Sequence, residues 1–183
     1  MPSQGYTAMF RNLLEHRHIR VETGVDYFAS KARLAAKLTI FTGPIDAYFG
    51  HCHGALPYRS LQFQHEHLAQ DRYQHTGTVN FPNDYQYTRI TEFKYLTGQT
   101  VAGTSIVKEF PCAEGDPYYP IPNPDNEACY QRYKAMARVE RNVVFVGRLA
   151  QYRYYNMDQV VAAALKTARD VTAVDDEFTN NDA

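Results

Sequence analysis

Two kinds of spacing govern the apolar positions of this chain. After Gly5, the residues Met9, Phe10, Leu13 and Leu14 recur at helical intervals, which predicts an amphipathic helix over Tyr6 to His16. Ile19 to Thr23 is then expected to be a strand. Lys37 to Thr42 is a compact β-prone run, stopped by Gly43-Pro44, a pair that breaks strand and helix alike. Ile45 to Phe49 follows that sharp turn. From Tyr58 to Phe110 short runs return at close intervals: Leu61 to Leu68, Thr76 to Phe81, Tyr87 to Phe93 and Thr104 to Phe110. Gaps this short favour antiparallel pairing over strand–helix–strand units.

Beyond Phe110 the pattern changes. Pro111 to Pro124 holds five of the nine prolines and is expected to be an ordered loop or linker, because proline has no backbone donor. Asn123-Pro124 then supplies an N-cap and first-turn pair for a helix to about Glu140. Val143 to Val146 reads as a buried strand ending at Gly147, and Asn156 to Asp170 as a second helix. In that helix Asn156 and Gln159 have capping-box spacing, while Met157, Val161, Ala164, Leu165 and Ala168 form one apolar stripe. Residues 1–170 are taken as one region. Val171 to Ala183, with four acids and no base, is expected to be a disordered tail.

Composition narrows the functional classes. The 183 residues suffice for a core without disulfides, and a formal net charge of -1 argues against a general nucleic-acid or membrane-surface binder. Any anionic ligand must be met by a few placed cations. The longest purely apolar run, Val160 to Leu165, is far too short to span a bilayer, so no membrane partner is expected and a cytoplasmic location is. Three widely spaced cysteines form no C-x-x-C, consistent with a reducing compartment. Fifteen tyrosines and ten phenylalanines against no tryptophan are the anomaly, since tyrosine rings often line polar clefts.

Three segments carry candidate chemistry. In Gly147 to Val160 a buried strand delivers a glycine turn, Arg148 and several tyrosines to the mouth of a capped helix, whose unsatisfied N–H groups suit an anion or a flavin's carbonyl edge. A plain strand-to-helix connection has the same pattern. Asp116 to Pro122 fixes Tyr118 and Tyr119 between prolines, either aiming phenols into a cleft or anchoring a loop. Tyr58-Arg59-Ser60-Leu61 and Tyr87-Thr88-Arg89-Ile90 each place an arginine among aromatics on a strand, where it needs a carboxylate or a ligand phosphate. Competing with these, His51, His53, His65 and His67 form two H-x-H pairs that a small metal-binding β module would use, although no further spacing completes a recognised site.

In order along the chain, Gly5-Tyr-Thr-Ala-Met-Phe10, Thr42-Gly-Pro-Ile-Asp46, Tyr58-Arg-Ser-Leu61, Tyr87-Thr-Arg-Ile90, Pro117-Tyr-Tyr-Pro120 and Gly147-Arg-Leu-Ala-Gln-Tyr-Arg-Tyr-Tyr-Asn-Met-Asp-Gln159 resemble the C-terminal half of the bacterial UDP-galactopyranose mutase family. The resemblance covers Gly5 to about Arg169. It implies interconversion of UDP-galactopyranose and UDP-galactofuranose with reduced FAD, serving cell-surface polysaccharide synthesis. In such enzymes flavin N5 displaces UDP from the anomeric carbon, so no side chain is assigned as nucleophile. By the same resemblance Arg89, Tyr119, Tyr154 and Arg59 bind substrate, while Arg148, Asn156 and Met157 contact the flavin. Asn156 stands where some members have Asp, and an amide is no charged base.

The implied fold is α+β: a mainly antiparallel sheet with flanking helices, plus a C-terminal strand–helix unit belonging to an FAD-binding α/β domain whose N-terminal part is absent. None of the ten glycines forms G-x-G-x-x-G. Two alternatives to an enzyme remain: a non-catalytic half that complements a separate FAD-binding chain, and the histidine module. An exposed apolar face on the strand–helix unit is expected, and a homo-oligomer for the full-length form.

Overall fold

A computed structural model of the chain describes residues 1–34 and 36–179. In chain order the elements are α1 (Gly5–Leu14), α2 (Tyr27–Ser30), β1 (Thr39–Phe41), α3 (Ile45–Tyr48), β2 (Tyr58–Leu68), β3 (Thr78–Asn80), β4 (Arg89–Glu92), α4 (Phe93–Thr97), β5 (Thr104–Cys112), β6 (Tyr119–Pro120), α5 (Pro124–Ala137), β7 (Val143–Phe145) and α6 (Met157–Thr179). The protein is α+β. Its residues group into two units, Met1–Asp26 with Ser60–Asp116, and Tyr27–Arg59 with the chain from Pro117 onward.

The first unit is an antiparallel sheet in the order β3-β4-β5-β2, as the closely spaced runs predict. Its interior combines Ile90, Ile106 and Val107 with a fully buried carboxylate, Glu92. A buried charge is tolerated only where donors surround it. Glu92 accepts the Thr104 hydroxyl at 2.6 Å and the backbone N–H groups of Gln74 at 3.0 Å and Tyr73 at 3.1 Å. Burial works against its ionisation, but these hydrogen bonds outweigh burial and hold the carboxyl below the ordinary glutamate range. Nearby, the buried Lys94 is neutralised by Asp71. The helix expected over Tyr6 to His16 is observed as α1, Gly5–Leu14, with no buried residue, and Phe10 and Leu13 are exposed.

The expected strand over Ile19 to Thr23 is absent. That stretch is irregular and exposed, since a strand needs a neighbour to satisfy its backbone and no strand among the described residues pairs with it. The proline-rich loop also needs correction. β5 runs through Pro111, opposite Leu61, and β6 pairs Tyr119 and Pro120 with Arg59 and Tyr58, positions at the end of one strand and in a two-residue strand where a missing donor is tolerated.

In the second unit β1 and β7 form a two-stranded parallel sheet, with Phe41 opposite Phe145. Gly43 is required beside it, because a Cβ there would meet the Phe41 ring at 2.8 Å. The core joins Ile45, Leu56, Tyr130, Tyr133 and Tyr152. Asp46, almost wholly buried, ties the loop after α3 by accepting the Leu56 N–H at 2.9 Å and facing His51 Nδ1 at 3.2 Å. Helix α5 starts as predicted: Asn123 Oδ1 accepts the Asn126 N–H at 2.8 Å, with Pro124 in the first turn.

α6 carries two surprises. It continues to Thr179 where a disordered tail is expected from Val171, since extending a nucleated helix fixes one residue per hydrogen bond gained. Residues 180–183 lie outside the described residues. The helix also rests on Val160, Ala163, Thr167 and Val171, each half-buried, so the predicted stripe of Met157, Val161, Ala164, Leu165 and Ala168 faces outward. Met157 is 69% exposed, and Val161 and Leu165 each 55%.

Glu92→Ala should therefore lower stability in urea by about 2–4 kcal/mol, because one buried and two part-buried donors lose an ionised acceptor, whereas Val161→Gln should stay within about 0.5 kcal/mol. Because the folded-state value of Glu92 is depressed, its contribution is complete above the ordinary glutamate range and is lost as pH falls below it. A urea midpoint for wild type that changes no more between pH 6 and pH 3 than that of Glu92→Ala would contradict this assignment.

Candidate functional site

The most constrained stretch of the second unit is the segment between β7 and α6. Gly147 turns the chain at φ +99°, a conformation that glycine adopts without a Cβ clash. The segment then folds on itself, Gln151 N–H bonding Gly147 O at 2.9 Å and Arg153 N–H bonding Arg148 O at 3.1 Å. Tyr152 follows with φ +42° although it is a bulky side chain, at a strain of about 1–2 kcal/mol. Its surroundings offset this. The ring is buried edge-on to Tyr58 at 5.2 Å, and its hydroxyl donates to Pro57 O at 2.6 Å and accepts the Ile121 N–H at 3.2 Å.

Past that turn, the next residue but one, Tyr154, stacks on Tyr119 of β6, with centroids 5.8 Å apart and planes 24° apart. Arg148 lies against both rings, 5.0 Å from the Tyr154 centroid and 5.6 Å from that of Tyr119. Two of its N–H groups are tied to main-chain carbonyls, Nη1 to Tyr118 O at 3.0 Å and Nη2 to Tyr155 O at 2.6 Å. A guanidinium fixed in this way is a positive charge that needs no reorganisation to meet an anion. Arg59 of β2 is the register partner of Tyr119, and directly opposed residues share a face. Tyr154 and Pro120 also wall a cleft of about 750 Å³ that continues over α5 through Tyr130 and Lys134.

The structure thus brings Tyr119, Tyr154 and Arg148 together and sets Arg59 opposite Tyr119. Asn156 and Met157 follow at the start of α6, where Gln159 Oε1 accepts the Asn156 N–H at 2.9 Å, one arm of the predicted capping box. Arg89 belongs to the first unit. There its Nε donates to Asn80 Oδ1 at 2.9 Å, and Nη1 lies 3.5 Å from Glu109. The four histidines of the metal reading have other neighbours: His51 faces Asp46, His53 packs on Tyr133, His65 stacks on Phe93 and His67 meets Ser105. Among the described residues no three or more His, Cys, Asp or Glu side chains converge on a metal-sized point.

Comparison with known proteins places these residues in a family. The family model for UDP-galactopyranose mutase matches residues 1–154, and the chain belongs to that family. Among its relatives, a probable UDP-galactopyranose mutase of Klebsiella pneumoniae is 38% identical over 173 residues, 92% of this chain and 44% of that protein. A dTDP-fucopyranose mutase of Escherichia coli is 34% identical, covering 92% of this chain and 48% of that protein. The UDP-galactopyranose mutase of Mycoplasma pneumoniae is 33% identical, with 92% and 47% covered. The chain spans about half the length of the curated relatives it matches.

Three supporting residues escape sequence reasoning. Gln151 Oε1 accepts both the Gly147 N–H at 3.3 Å and the Tyr155 hydroxyl at 2.9 Å, holding the segment closed. Tyr58 donates to Leu149 O at 3.3 Å, and Asn80 aims Arg89. All are long-range or conformational facts with no local signature, apart from the abundance of tyrosine.

Tyr152→Phe should cost about 0.5–1.5 kcal/mol, because the hydroxyl's two bonds are lost while the Ile121 N–H and Pro57 O keep their bond to each other at 3.3 Å. Burial is the leading cause that raises Tyr58, Tyr133 and Tyr152 above the usual phenol value, and it pushes Tyr130 up to about 12. Phenols raised in the fold stabilise it below their unfolded value of 10.0, and that contribution falls as pH climbs from there toward the folded values. Alkaline unfolding should begin above about pH 10, followed by tyrosinate absorbance at 295 nm. Tyrosines that ionise together near pH 10 with the fold intact would contradict this packing.

Proposed function

We propose that the chain carries the diphosphate-binding part of a flavin-dependent UDP-galactopyranose mutase, which interconverts UDP-galactopyranose and UDP-galactofuranose in the cytoplasm as a homo-oligomer. What supports the reading is the fixed cluster of Arg148, Tyr119 and Tyr154, lying within the residues matched by the family. Breaking the anomeric bond leaves negative charge on the diphosphate. Groups that bind this charge more tightly as it develops lower the barrier. Tyr119 and Tyr154 offer phenol donors and Arg89 and Arg59 offer charge, while Arg148 lies beside the two rings as the flavin-proximal cation. No helix among the described residues is long and apolar enough to cross a membrane.

The residues present fit one end of a flavin. Arg148 is bonded to the carbonyl of Tyr155, immediately before Asn156 and Met157, so the cation adjoins the exposed start of α6. Those three would meet the ring system, and the helix N-terminus favours its electron-rich edge. Bound reduced FAD supplies the electron pair that displaces the diphosphate. Asn156, an amide, orients a hydroxyl or a carbonyl rather than taking up a proton. Pyrophosphate needs a glycine-rich turn, which none of the ten glycines builds. In this reading β7 and α6 belong to an FAD-binding α/β domain completed by other polypeptide.

A second reading rests on the outward stripe of α6 and the two-stranded parallel sheet: the chain is a non-catalytic half that complements a separate FAD-binding chain. Parallel sheets are normally covered on both faces, and this one is incomplete. Fusion to the remaining half of the Klebsiella relative separates the two readings. The fusion should convert UDP-galactofuranose when reduced, and the chain alone should retain no flavin after gel filtration. Arg89→Ala should lower kcat/KM by about 10- to 150-fold and Tyr119→Phe by about 2- to 10-fold, the gap between a charged and a neutral hydrogen bond. A folded, flavin-bound fusion without turnover favours the non-catalytic reading, and equal losses in the two variants overturn the ranking.

A further inference from the structure

The first unit carries a second, chemically different cleft. In β3 and β4, Val79 pairs with Ile90 and Asn80 with Arg89. Paired residues share a face and successive residues alternate, so Arg89 and its partner Asn80 occupy one side while Val79 and Ile90 occupy the other. On the Val79 and Ile90 side lies a cleft of about 410 Å³, walled by Tyr73, Gln74, Tyr85 and Tyr87. It is not part of the arginine face.

Its walls are prepared aromatic surface. Tyr85 and Tyr87 stack face to face, 4.8 Å apart and within 8° of parallel. Phe81 sets itself edge-on against both, at 5.2 Å and 5.3 Å, and Phe110 backs Tyr87 at 5.9 Å. Even so, Tyr85 is 56% exposed and Tyr73 42%. A ring braced on one face and still half open presents its other face to a ligand.

The polar wall is equally fixed. Glu92 holds the backbone of Tyr73 and Gln74, and the Tyr95 hydroxyl donates to Gln74 O at 2.7 Å. The Gln74 amide nitrogen is bound to Thr76 O at 2.8 Å and Ile90 O at 3.3 Å, which fixes the direction of its own carbonyl oxygen. His75 and Thr76 complete this edge.

Charge selects the ligand. No Lys, Arg, Asp or Glu lines the cleft. Lys108, whose Nζ is 5.9 Å from the Tyr87 ring centre, is already paired with Glu66 at 2.6 Å. A neutral aromatic cleft does not repay the desolvation of a phosphate or a carboxylate. It does suit a ring with one flat C–H face, whose partial positive charge meets the negative face of a tyrosine, and hydroxyls around the rim for the amide, imidazole and hydroxyl groups. We propose that this cleft binds a neutral sugar ring, with Tyr85 as its stacking platform, on the side of β3 and β4 away from Arg89.

The inference does not depend on the mutase reading and is tested on the whole chain. Titration with methyl β-D-galactopyranoside, followed by amide ¹H–¹⁵N shifts, should move Gln74, Thr76 and Tyr85 saturably, with a dissociation constant of about millimolar order. Tyr85→Ala and Tyr85→Leu, at an exposed position that leaves the rest of the spectrum in place, should both weaken binding by about fivefold or more. Loss in the leucine variant separates ring stacking from apolar bulk. Uridine monophosphate should leave these amides unmoved. Absence of saturation, undiminished binding by both variants, or larger shifts at these amides with the nucleotide would each overturn the proposal.

Discussion

The second unit depends on one hydroxyl group. Tyr152 Oη donates to Pro57 O and accepts the N–H of Ile121, so it joins the approach to β2 and the turn before α5 to the segment that carries Arg148 and Tyr154. That joint, together with the segment's own bonds from Gln151 and Arg153, holds a tyrosine in the left-handed region. The strain is therefore stored beside the candidate site and held by burial against Tyr58 and Tyr130. Arg148 repeats the device: a cation held by two backbone carbonyls and two ring faces loses little freedom when an anion arrives.

The first unit uses a buried carboxylate for a comparable end. Glu92 fixes the backbone at Tyr73 and Gln74 from the centre of the sheet, and this sets the shape of the aromatic cleft on the face away from Arg89. Both units thus use a polar group placed inside the fold to hold an irregular stretch at the surface. Apolar packing alone is less specific in direction, whereas a fully satisfied polar network allows one arrangement.

What the sequence reveals follows the range of the interaction. The caps at Asn123 and Asn156 are readable because donor and acceptor lie three residues apart. The antiparallel runs between Tyr58 and Phe110 are readable from alternation and gap length. Ile19 to Thr23 misleads because β propensity says nothing about whether a partner strand exists. Pro111 and Pro120 mislead because a missing donor matters only where the ladder needs one. Arg148, Tyr119 and Tyr154 can be picked out as residue types in suggestive segments, but the Tyr118 carbonyl that holds the guanidinium and the Pro57 carbonyl that holds Tyr152 are distant in sequence, and the closure of the segment by Gln151, though local, depends on the left-handed turn at Tyr152.

α6 shows the limit of periodicity most sharply. Met157, Val161, Ala164, Leu165 and Ala168 lie on one face with the spacing of a core helix, yet the helix packs through Val160, Ala163, Thr167 and Val171 instead. Its apolar surface therefore extends around more than one side, the pattern of a helix covered on both. Leaving Val161 and Leu165 more than half exposed forgoes about 25 cal/mol for every Å² of apolar surface that burial would remove from water. The parallel pair of β1 and β7 likewise has no further strand beside it among the described residues, although α5 packs against β7, whereas such sheets normally run to several strands. An apolar helical face and a parallel sheet of two strands are thus two unmet demands within one unit, and each is of the kind that further packed structure satisfies.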